Sequence, residues 1–167
     1  MIIIGDFCLE KLDINSKHSA LISGMAEDKK IKDYIDNKFK DWLSKYESDS
    51  EEKIEPCKMY VIREIETARE IGVVGSTSFE DGILNVVYAI KRNVRGRGYG
   101  FRVLEEITMY YLENIKGIKS IKLEIHESNK ASRGCANRIS YVKSEDSNEK
   151  GLEEWYYYNT DEKGRSK

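Results

Sequence analysis

The strongest local signal in this sequence is Arg95-Gly96-Arg97-Gly98-Tyr99-Gly100, which lies directly between a predicted strand and a predicted helix. Three alternating glycines remove side chains where a ligand must approach the backbone. The first turn of the following helix leaves N–H groups without partners, and the helix dipole is positive at that end. The segment therefore predicts an anion site that suits a phosphate or pyrophosphate, with the arginines adding charge-assisted hydrogen bonds.

Two common nucleotide-binding fingerprints do not fit this loop. A Walker loop ends in Gly-Lys-Ser or Gly-Lys-Thr, whereas Gly100 is followed by Phe101 and Arg102. A dinucleotide fingerprint that began at Gly96 would need a glycine at position 101. A glycine-rich turn with solvated arginines remains the plain structural alternative for such a pattern in isolation.

The charge pattern favours a small anionic ligand over a polyanion. The chain has 167 residues, a length that predicts one domain. It has 28 basic and 30 acidic side chains and a net charge of −2. A duplex-binding domain is usually basic overall, so no nucleic-acid binding is expected. The stretch from Lys91 to Arg102 nevertheless holds five cations and no acid, a local basic patch of the kind that attracts small anions.

Several other classes of protein are disfavoured. No apolar run approaches the roughly 20 residues of a membrane helix, and the first residues show no secretory leader. The three cysteines, Cys8, Cys57 and Cys135, are scattered, which argues against a disulfide scaffold or a zinc ribbon and predicts a cytoplasmic location. Neither His18 nor His126 has metal-ligand spacing, so no metal is expected.

The first third of the chain predicts one strand and two helices. Ile2 to Leu12 alternates loosely as a strand, and Ser16 is a candidate cap for a short helix through Met25. Lys29 to Tyr46 is predicted as one amphipathic helix, because its apolar side chains recur at helical spacing. A polar loop, Ser48 to Glu55, follows.

The rest of the chain predicts a meander of strands and then a crossover. The predicted strands of the meander, which is expected to be antiparallel, are Cys57–Ile65, Ile71–Phe79 and Ile83–Ile90. The predicted later elements are a helix over Phe101–Ile115, a strand over Ser120–His126, a helix over Asn129–Ser140, and a hairpin of Tyr141–Glu145 with Leu152–Asn159. The predicted fold is mixed α/β of the α+β class, with residues 1–159 as one domain and 160–167 as a flexible tail.

Two segments resemble motifs of the GNAT superfamily of acyl-coenzyme-A-dependent N-acyltransferases. Arg95, Gly98 and Gly100 match the pyrophosphate-loop pattern of Arg or Gln, two residues, Gly, one residue, and Gly or Ala. Asn129 and Ser132 match the family's N-x-x-S segment, although Ser140-Tyr141 stands where Gly-Phe is usual. The chain is most like the ribosomal-protein N-terminal acetyltransferase branch, well over residues 57–158 and in element order alone over the first 50.

The resemblance implies a mostly antiparallel sheet, flanked by helices, that splays between the fourth and fifth strands of the family fold. These strands are Ile83–Ile90 and Ser120–His126 here, and the pantetheine arm of acetyl-CoA lies in the gap. The expected cofactor-binding residues are Ala89, Ile90, Lys91, Arg92, Arg95, Gly96, Arg97, Gly98, Tyr99, Gly100, Asn129 and Ser132. Asn129 also suits a helix cap, and Ser132 an ordinary position on a helix surface.

The reaction that the resemblance implies is direct attack of a primary amine on the thioester of acetyl-CoA, within a ternary complex. It needs a deprotonated amine, an oxyanion donor and a proton for the leaving thiolate. A backbone N–H of the Ile83–Ile90 strand is the expected oxyanion donor. Acetyl-CoA is then the acyl donor, and an amine-bearing small molecule or protein N-terminus is the acceptor.

The general acid and base are not identified by the sequence. Many family members have a Tyr seven residues beyond the Asn, where this chain has Ala136, and related branches have a Glu where it has Asn85, three residues before Tyr88. The weak catalytic candidates are Glu80, Glu124 and His126, each of which also suits an ordinary surface or strand position. Cys135 has no partner His in any motif and is expected to be a small core residue.

Several alternatives stay open. The acceptor could be a protein N-terminus, an amino acid, a polyamine or an antibiotic amine, and a polycation would suit Glu64, Glu80 and Asp81. The absence of the family's Glu and Tyr leaves a non-catalytic acyl-CoA sensor as the alternative function, with a phosphate- or nucleic-acid-binding domain as a weaker one. In the run Trp155 to Tyr158, alternation places Trp155 and Tyr157 on one face and Tyr156 and Tyr158 on the other. The run suits core packing with an interface patch, a Tyr that lines the acceptor pocket, or strand pairing across a homodimer.

Overall fold

The computed structural model describes residues 1–47, 52–147 and 151–160. Parts of the predicted loop (48–51) and of the predicted tail (161–167) lie outside these ranges. The strands in the described part are β1 (Ile2–Ile4), β2 (Phe7–Lys11), β3 (Met59–Glu64), β4 (Glu70–Glu80), β5 (Ile83–Ile90), β6 (Ser120–His126), β7 (Val142–Ser147) and β8 (Leu152–Tyr158). The α-helices there are α1 (Ser19–Ala26), α2 (Lys29–Tyr34), α3 (Phe39–Ser44), α4 (Tyr99–Asn114) and α5 (Lys130–Ile139).

The eight described strands form one sheet in the order β1-β2-β3-β4-β5-β6-β8-β7. The predicted meander of β3, β4 and β5 is confirmed as antiparallel. The helix α4 then carries the chain across to β6, which pairs parallel to β5. Because the other pairings are antiparallel, the predicted α+β class is confirmed.

The prediction of one strand over Ile2 to Leu12 is wrong, because the chain turns within it. Gly5 adopts a φ of +56°, a left-handed conformation that glycine tolerates. The turn lets Ile4 pair with Phe7, so that β1 and β2 form an antiparallel hairpin. Alternation alone did not reveal the turn, since the apolar pattern continues on both sides of Gly5.

The prediction of one helix over Lys29 to Tyr46 is also wrong. The helix α2 ends after Tyr34 and α3 begins at Phe39. Between them, the Asp36 side chain accepts a hydrogen bond of 2.7 Å from the backbone N–H of Lys38. Such a local side-chain contact competes with helical hydrogen bonds and favours a turn. The apolar residues keep a helical spacing across both segments because the two short helices pack against the same face of the sheet.

The start of the first helix also differs from its prediction. The helix α1 begins at Ser19, and the backbone N–H of Ser16 instead donates to the Asp13 side chain over 3.1 Å. The buried His18 precedes the helix, accepting from the Asp13 backbone N–H at Nδ1 (3.0 Å) and lying 3.0 Å from Glu10 at Nε2. The predicted Ser16 cap is therefore wrong, because Ser16 belongs to the preceding turn.

Helices cover both faces of the sheet. On one face α4 and α5 pack against the central strands, and Leu84, Val103 and Ile107 are fully buried there. Trp155 belongs to this core and Tyr157 packs against it, which confirms the predicted alternation in β8. On the other face α1, α2 and α3 bury residues such as Ile22 and Phe39 against β3, β4 and β5.

The sheet opens between β5 and β6, which confirms the predicted splay. The two strands pair from Ile83 opposite Ser120 to Asn85 opposite Lys122, and within the described residues their pairing stops there. Beyond Asn85 the strands diverge, with helices above and below the gap. Within the described ranges, none of the helices is both long and apolar enough to cross a membrane.

Candidate active site

A cavity of about 750 Å³ lies where β5 and β6 diverge. One half, which we call the donor half, is lined by the glycine loop, the start of α4 and the first turns of α5. The other half, which we call the acceptor half, is lined by side chains of α2 and α3 and of the strand faces beneath them. The cavity thus runs through the gap in the sheet from one layer of helices to the other.

The glycine loop presents its backbone to the donor half. Gly96 and Gly98 have φ values of +78° and +81°, and a Cβ at either position would meet no atom within 4 Å. These glycines are therefore required by the left-handed backbone and not by crowding within the protein. Gly98 immediately precedes α4, so the unpartnered N–H groups of the first helical turn lie beside an open space. This arrangement suits an anion.

The Arg95 side chain turns inward and holds the loop in place. Its Nε donates to the carbonyl of Ile90 over 2.9 Å, and its guanidinium pairs with Asp28 at 2.5 Å. Asp28 is 8% exposed, and its other carboxylate oxygen accepts from the backbone N–H of Lys30, which caps α2. Arg95 therefore joins the end of β5 to the start of α2, and its charge is compensated within the protein.

The structure brings most of the predicted cofactor-binding residues to the cavity. Those that line it are Ala89, Ile90, Arg95, Gly96, Gly98, Tyr99, Gly100, Asn129 and Ser132. Lys91, Arg92 and Arg97 do not line it. Among the basic residues from 91 to 102, Arg95 is therefore the one that lines the cavity.

A small polar cluster lies in the donor half, between β5 and α5. Asn129 caps α5, because its side chain accepts from the backbone N–H of Ser132 at 3.3 Å. The Tyr88 hydroxyl donates to the Ser132 hydroxyl over 3.3 Å. Burial raises the pKa of the Tyr88 hydroxyl and also that of the nearby Cys135 thiol. Both groups therefore stay protonated at neutral pH. Ala136, which stands at the position of the family's Tyr, is fully buried.

Aromatic side chains form the wall of the acceptor half. Three aromatic side chains line this half of the cavity: Tyr34 of α2, Trp42 of α3, and Tyr46, which follows α3. The rings of Trp42 and Tyr46 lie 5.2 Å apart, and Trp42 stacks on the buried Phe39 at 5.9 Å. The sequence interpretation missed this wall, since it assigned these residues to the buried side of one long helix. Their unusual aromatic content was the available signal.

Two of the three weak catalytic candidates, Glu124 and His126, line the cavity, and Glu80 does not. Nδ1 of His126 accepts from the backbone N–H of Ser128 at 3.2 Å and lies 2.8 Å from the Ser128 hydroxyl. A neutral ring that accepts these bonds at Nδ1 carries its proton on Nε2. The Glu124 carboxylate lies 3.4 Å from the ammonium group of Lys122.

Asn85 is a further cavity-lining residue, at the point where the strands part. Its Nδ2 donates to the Thr77 hydroxyl over 2.8 Å. Its Oδ1 is buried and has no hydrogen-bond partner among the residues that the structure describes. The sequence analysis considered Asn85 only as a residue that cannot act as a base, and it did not identify this unpaired acceptor.

The acidic residues that the sequence suggested for a polycationic acceptor lie elsewhere. Glu64 accepts from the hydroxyls of Thr67 (2.7 Å) and Tyr99 (3.0 Å), and the Thr67 hydrogen bond is the main cause of its lowered pKa. Glu80 ends β4, Asp81 follows in the turn, and none of the three lines the cavity. In the described ranges, no group of three or more His, Cys, Asp or Glu side chains could hold a metal ion.

Solved structures with this fold include several acetyltransferases, at identities that show the fold alone. The RimL ribosomal-protein alpha-N-acetyltransferase in complex with coenzyme A is 15% identical, with a TM-score of 0.69 over 94% of this chain and 96% of that one. The Vibrio cholerae spermidine N-acetyltransferase in complex with CoA and spermine is 13% identical, with a TM-score of 0.69 over 93% and 96%. An aminoglycoside acetyltransferase in complex with coenzyme A and kanamycin is 10% identical, with a TM-score of 0.69 over 96% and 99%.

Sequence comparison identifies the family directly. No curated protein sequence matches this chain. A family model, described as the acetyltransferase (GNAT) domain, matches residues 11–142 and so spans most of the chain, from β2 to the start of β7. The match includes both the glycine loop and the α5 segment on which the resemblance was founded. The chain therefore belongs to the GNAT family of acetyl-CoA-dependent N-acetyltransferases.

Proposed function

We propose that this protein transfers an acetyl group from acetyl-CoA to a primary amine, by direct attack of the amine within a ternary complex. The observation that carries the proposal is a continuous cavity that joins the glycine loop to the aromatic wall through the gap between β5 and β6. A thioester held in this gap is reachable from the acceptor half, so both substrates can be bound at once. Holding the reacting groups together supplies much of the rate.

The donor half suits the three parts of acetyl-CoA. The backbone N–H groups between Gly96 and Gly100 suit the pyrophosphate, because they lie at the start of α4, where the first helical turn offers N–H groups that have no partner within the helix. The edge of β5 beyond Asn85 is released from β6, so its N–H and C=O groups are available to the pantetheine amides. Ser132 contacts the arm from the far side of the gap.

The reaction begins when the amine nitrogen attacks the thioester carbonyl carbon and a C–N bond forms. A backbone N–H of β5 stabilises the oxyanion. The C–S bond then breaks, and the hydroxyl of Tyr88 turns from Ser132 to donate its hydrogen bond to the leaving thiolate. Glu124 receives the proton that the amine loses, through water, since Nδ1 of His126 is already engaged by Ser128.

The acceptor half suits an amine that is attached to an apolar group. Its wall is aromatic, and Glu124 is the carboxylate among the cavity-lining residues that the structure describes. A polyamine or an aminoglycoside carries several positive charges and would need several carboxylates. We therefore infer an amine with one charge, such as an arylalkylamine or the N-terminus of a peptide with an apolar first residue.

The alternative function is an acyl-CoA sensor that does not turn its ligand over. Two residues favour it, since Ala136 and Asn85 stand where related enzymes have a Tyr and a Glu. Both functions require acetyl-CoA to bind in the donor half. Amine-dependent turnover separates them.

The test combines calorimetry of acetyl-CoA binding with a free-thiol release assay over phenethylamine, spermidine and a tetrapeptide with a free N-terminus. Gly98→Glu places a carboxylate at the pyrophosphate site, and we expect it to weaken binding more than about tenfold, or about 1.4 kcal/mol. Gly117→Glu is the matched control, because Gly117 has a φ of +84°, meets no atom within 4 Å at its Cβ, and lies outside the cavity.

Each outcome has one meaning. Binding with thiol release that depends on an amine supports the transferase. Tight binding without release from any amine supports the sensor. Equal binding by the two glutamate variants would show that the loop is not the pyrophosphate site.

A further inference from the structure

The Oδ1 atom of Asn85 is a buried hydrogen-bond acceptor that the fold leaves unused. It has no partner among the described residues, although Asn85 lines the cavity. Buried polar atoms in native proteins are nearly all paired, and an exception calls for an explanation. A ligand that brings an N–H group to this position would recover the desolvation cost of the amide oxygen.

Thr77 fixes the direction in which this oxygen is available. Nδ2 of Asn85 donates to the Thr77 hydroxyl over 2.8 Å, which leaves Oδ1 as the free end of the amide. The register of β4 and β5 shifts between Ser76 and Ser78, so Thr77 is the extra residue of a β-bulge. Bulges of this kind redirect side chains beside active sites. Thr77 also lines the cavity.

The position of Asn85 matches the place where the two substrates must meet. Asn85 is the last residue of β5 that pairs with β6, opposite Lys122, so it lies where the gap begins. Alternation along β5 places its side chain on the same face as Val87 and Ala89, which pack with the α1–α3 cluster. This is the acceptor side of the sheet.

We propose that Oδ1 of Asn85 accepts a hydrogen bond from one N–H of the attacking amine and thereby orients its lone pair toward the thioester. The proposal deepens the proposed function and rests on it. A neutral amide oxygen does not take up a proton at neutral pH, so Asn85 binds the amine and does not act as its base. The Asn85 bond therefore substitutes orientation for the proton transfer that a glutamate would provide.

The proton count makes this a device for selecting primary amines. A neutral primary amine has two N–H groups. One is lost to the base as the C–N bond replaces the C–S bond, and the other remains in the product amide. That remaining N–H can stay bound to Oδ1 from the attack to the product. A secondary amine has one N–H, which it must lose, so it cannot keep this bond.

The first test is Asn85→Leu, which has nearly the same size and removes both the unused Oδ1 and the hydrogen bond from Nδ2 to Thr77. We expect the variant to fold, since removing the unpaired Oδ1 offsets in part the hydrogen bond that the Thr77 hydroxyl loses. We expect unchanged acetyl-CoA binding by calorimetry and a loss of at least about tenfold in kcat/KM for the best primary amine of the panel.

The second measurement compares that amine with its N-methyl derivative. The wild type should prefer the primary amine, and the preference should approach unity in Asn85→Leu. Thr77→Val should lower kcat/KM in the same direction, because the amide is no longer held. Thr77→Ser, which keeps the hydroxyl, should retain the wild-type rate and preference.

Two results would overturn the proposal in distinguishable ways. A wild type that turns over while a folded Asn85→Leu keeps its rate and preference would refute the role of Asn85 and leave the transferase intact. A wild type that binds acetyl-CoA but releases thiol with none of the amines would refute the proposed function, and this proposal with it.

Discussion

The two halves of the cavity present different chemical groups of the chain, backbone in one and side chains in the other. The donor half presents backbone N–H groups from the glycine loop and from the first turn of α4, beside a few hydroxyls. The acceptor half presents side chains, chiefly the aromatic rings of Tyr34, Trp42 and Tyr46. A backbone site tolerates many side-chain changes around it, whereas each change in a side-chain site alters what it accepts. A protein of this design can therefore keep one donor while its acceptor varies.

The two halves are nevertheless joined by an ion pair between the buried Asp28 and the half-buried Arg95. Asp28 caps α2, which carries Tyr34 into the acceptor half, and pairs with Arg95 of the donor loop. Arg95 in turn holds the carbonyl of Ile90 at the end of β5. Arg95, a residue of the glycine-loop motif, thus holds two elements of the fold together, and its partner Asp28 lies far away in the sequence.

The largest expected effect comes from breaking this joint with Asp28→Ala. The change removes the cap of α2 and leaves a half-buried guanidinium without its partner, so we expect a loss of about 2–4 kcal/mol in the free energy of unfolding. Because both halves share the joint, the Kd for acetyl-CoA and the KM for the amine should both rise. Urea unfolding, calorimetry and kinetics measure the three quantities.

The control for this prediction is Asp33→Ala on the same helix. Asp33 pairs with Lys29 at 2.7 Å, but both side chains are exposed, and such surface pairs contribute little. If Asp28→Ala behaved like Asp33→Ala in all three measurements, the two halves would be independent.

A smaller effect, confined to one half, is expected from Trp42→Ala. Removing the indole opens the aromatic wall, so the KM for the amine should rise roughly tenfold, about 1.4 kcal/mol, while acetyl-CoA binding stays unchanged. Tyr158→Ala is the control, because Tyr158 is an exposed ring that stacks on Tyr156 at 6.0 Å outside the cavity. Weaker acetyl-CoA binding by Trp42→Ala would show that the wall serves the donor as well.

The same contrast explains what the sequence could and could not predict. The glycine loop was predictable because its residues are consecutive, and the structure places Gly96, Gly98 and Gly100 along the cavity. Their binding of acetyl-CoA stays a prediction. The predicted bounds of β5 and β6 also agree with the structure. The acceptor half depends on the turn at Asp36 and on the bulge at Thr77, which bring distant side chains together. Neither feature leaves a periodic pattern in the sequence, so the geometry of the acceptor half became visible only in the folded structure.

The smallest effect concerns the thiol of Cys135, which distinguishes the halves without any mutation. Burial raises the pKa of this thiol, so the reactive thiolate forms only as the pH rises above the usual range near about 8.5. We expect slow alkylation by iodoacetamide at neutral pH and faster alkylation as the pH rises. Mass spectrometry of the peptide that contains Cys135 measures the rate.

Since Cys135 lines the donor half, acetyl-CoA should slow its alkylation further, and the amine alone should not. The half-buried Cys57, outside the cavity, is the internal reference, and its rate should not respond to acetyl-CoA. Protection of Cys135 by the amine instead would mean that the acceptor reaches through the gap into the donor half, and the division of the cavity would have to be redrawn.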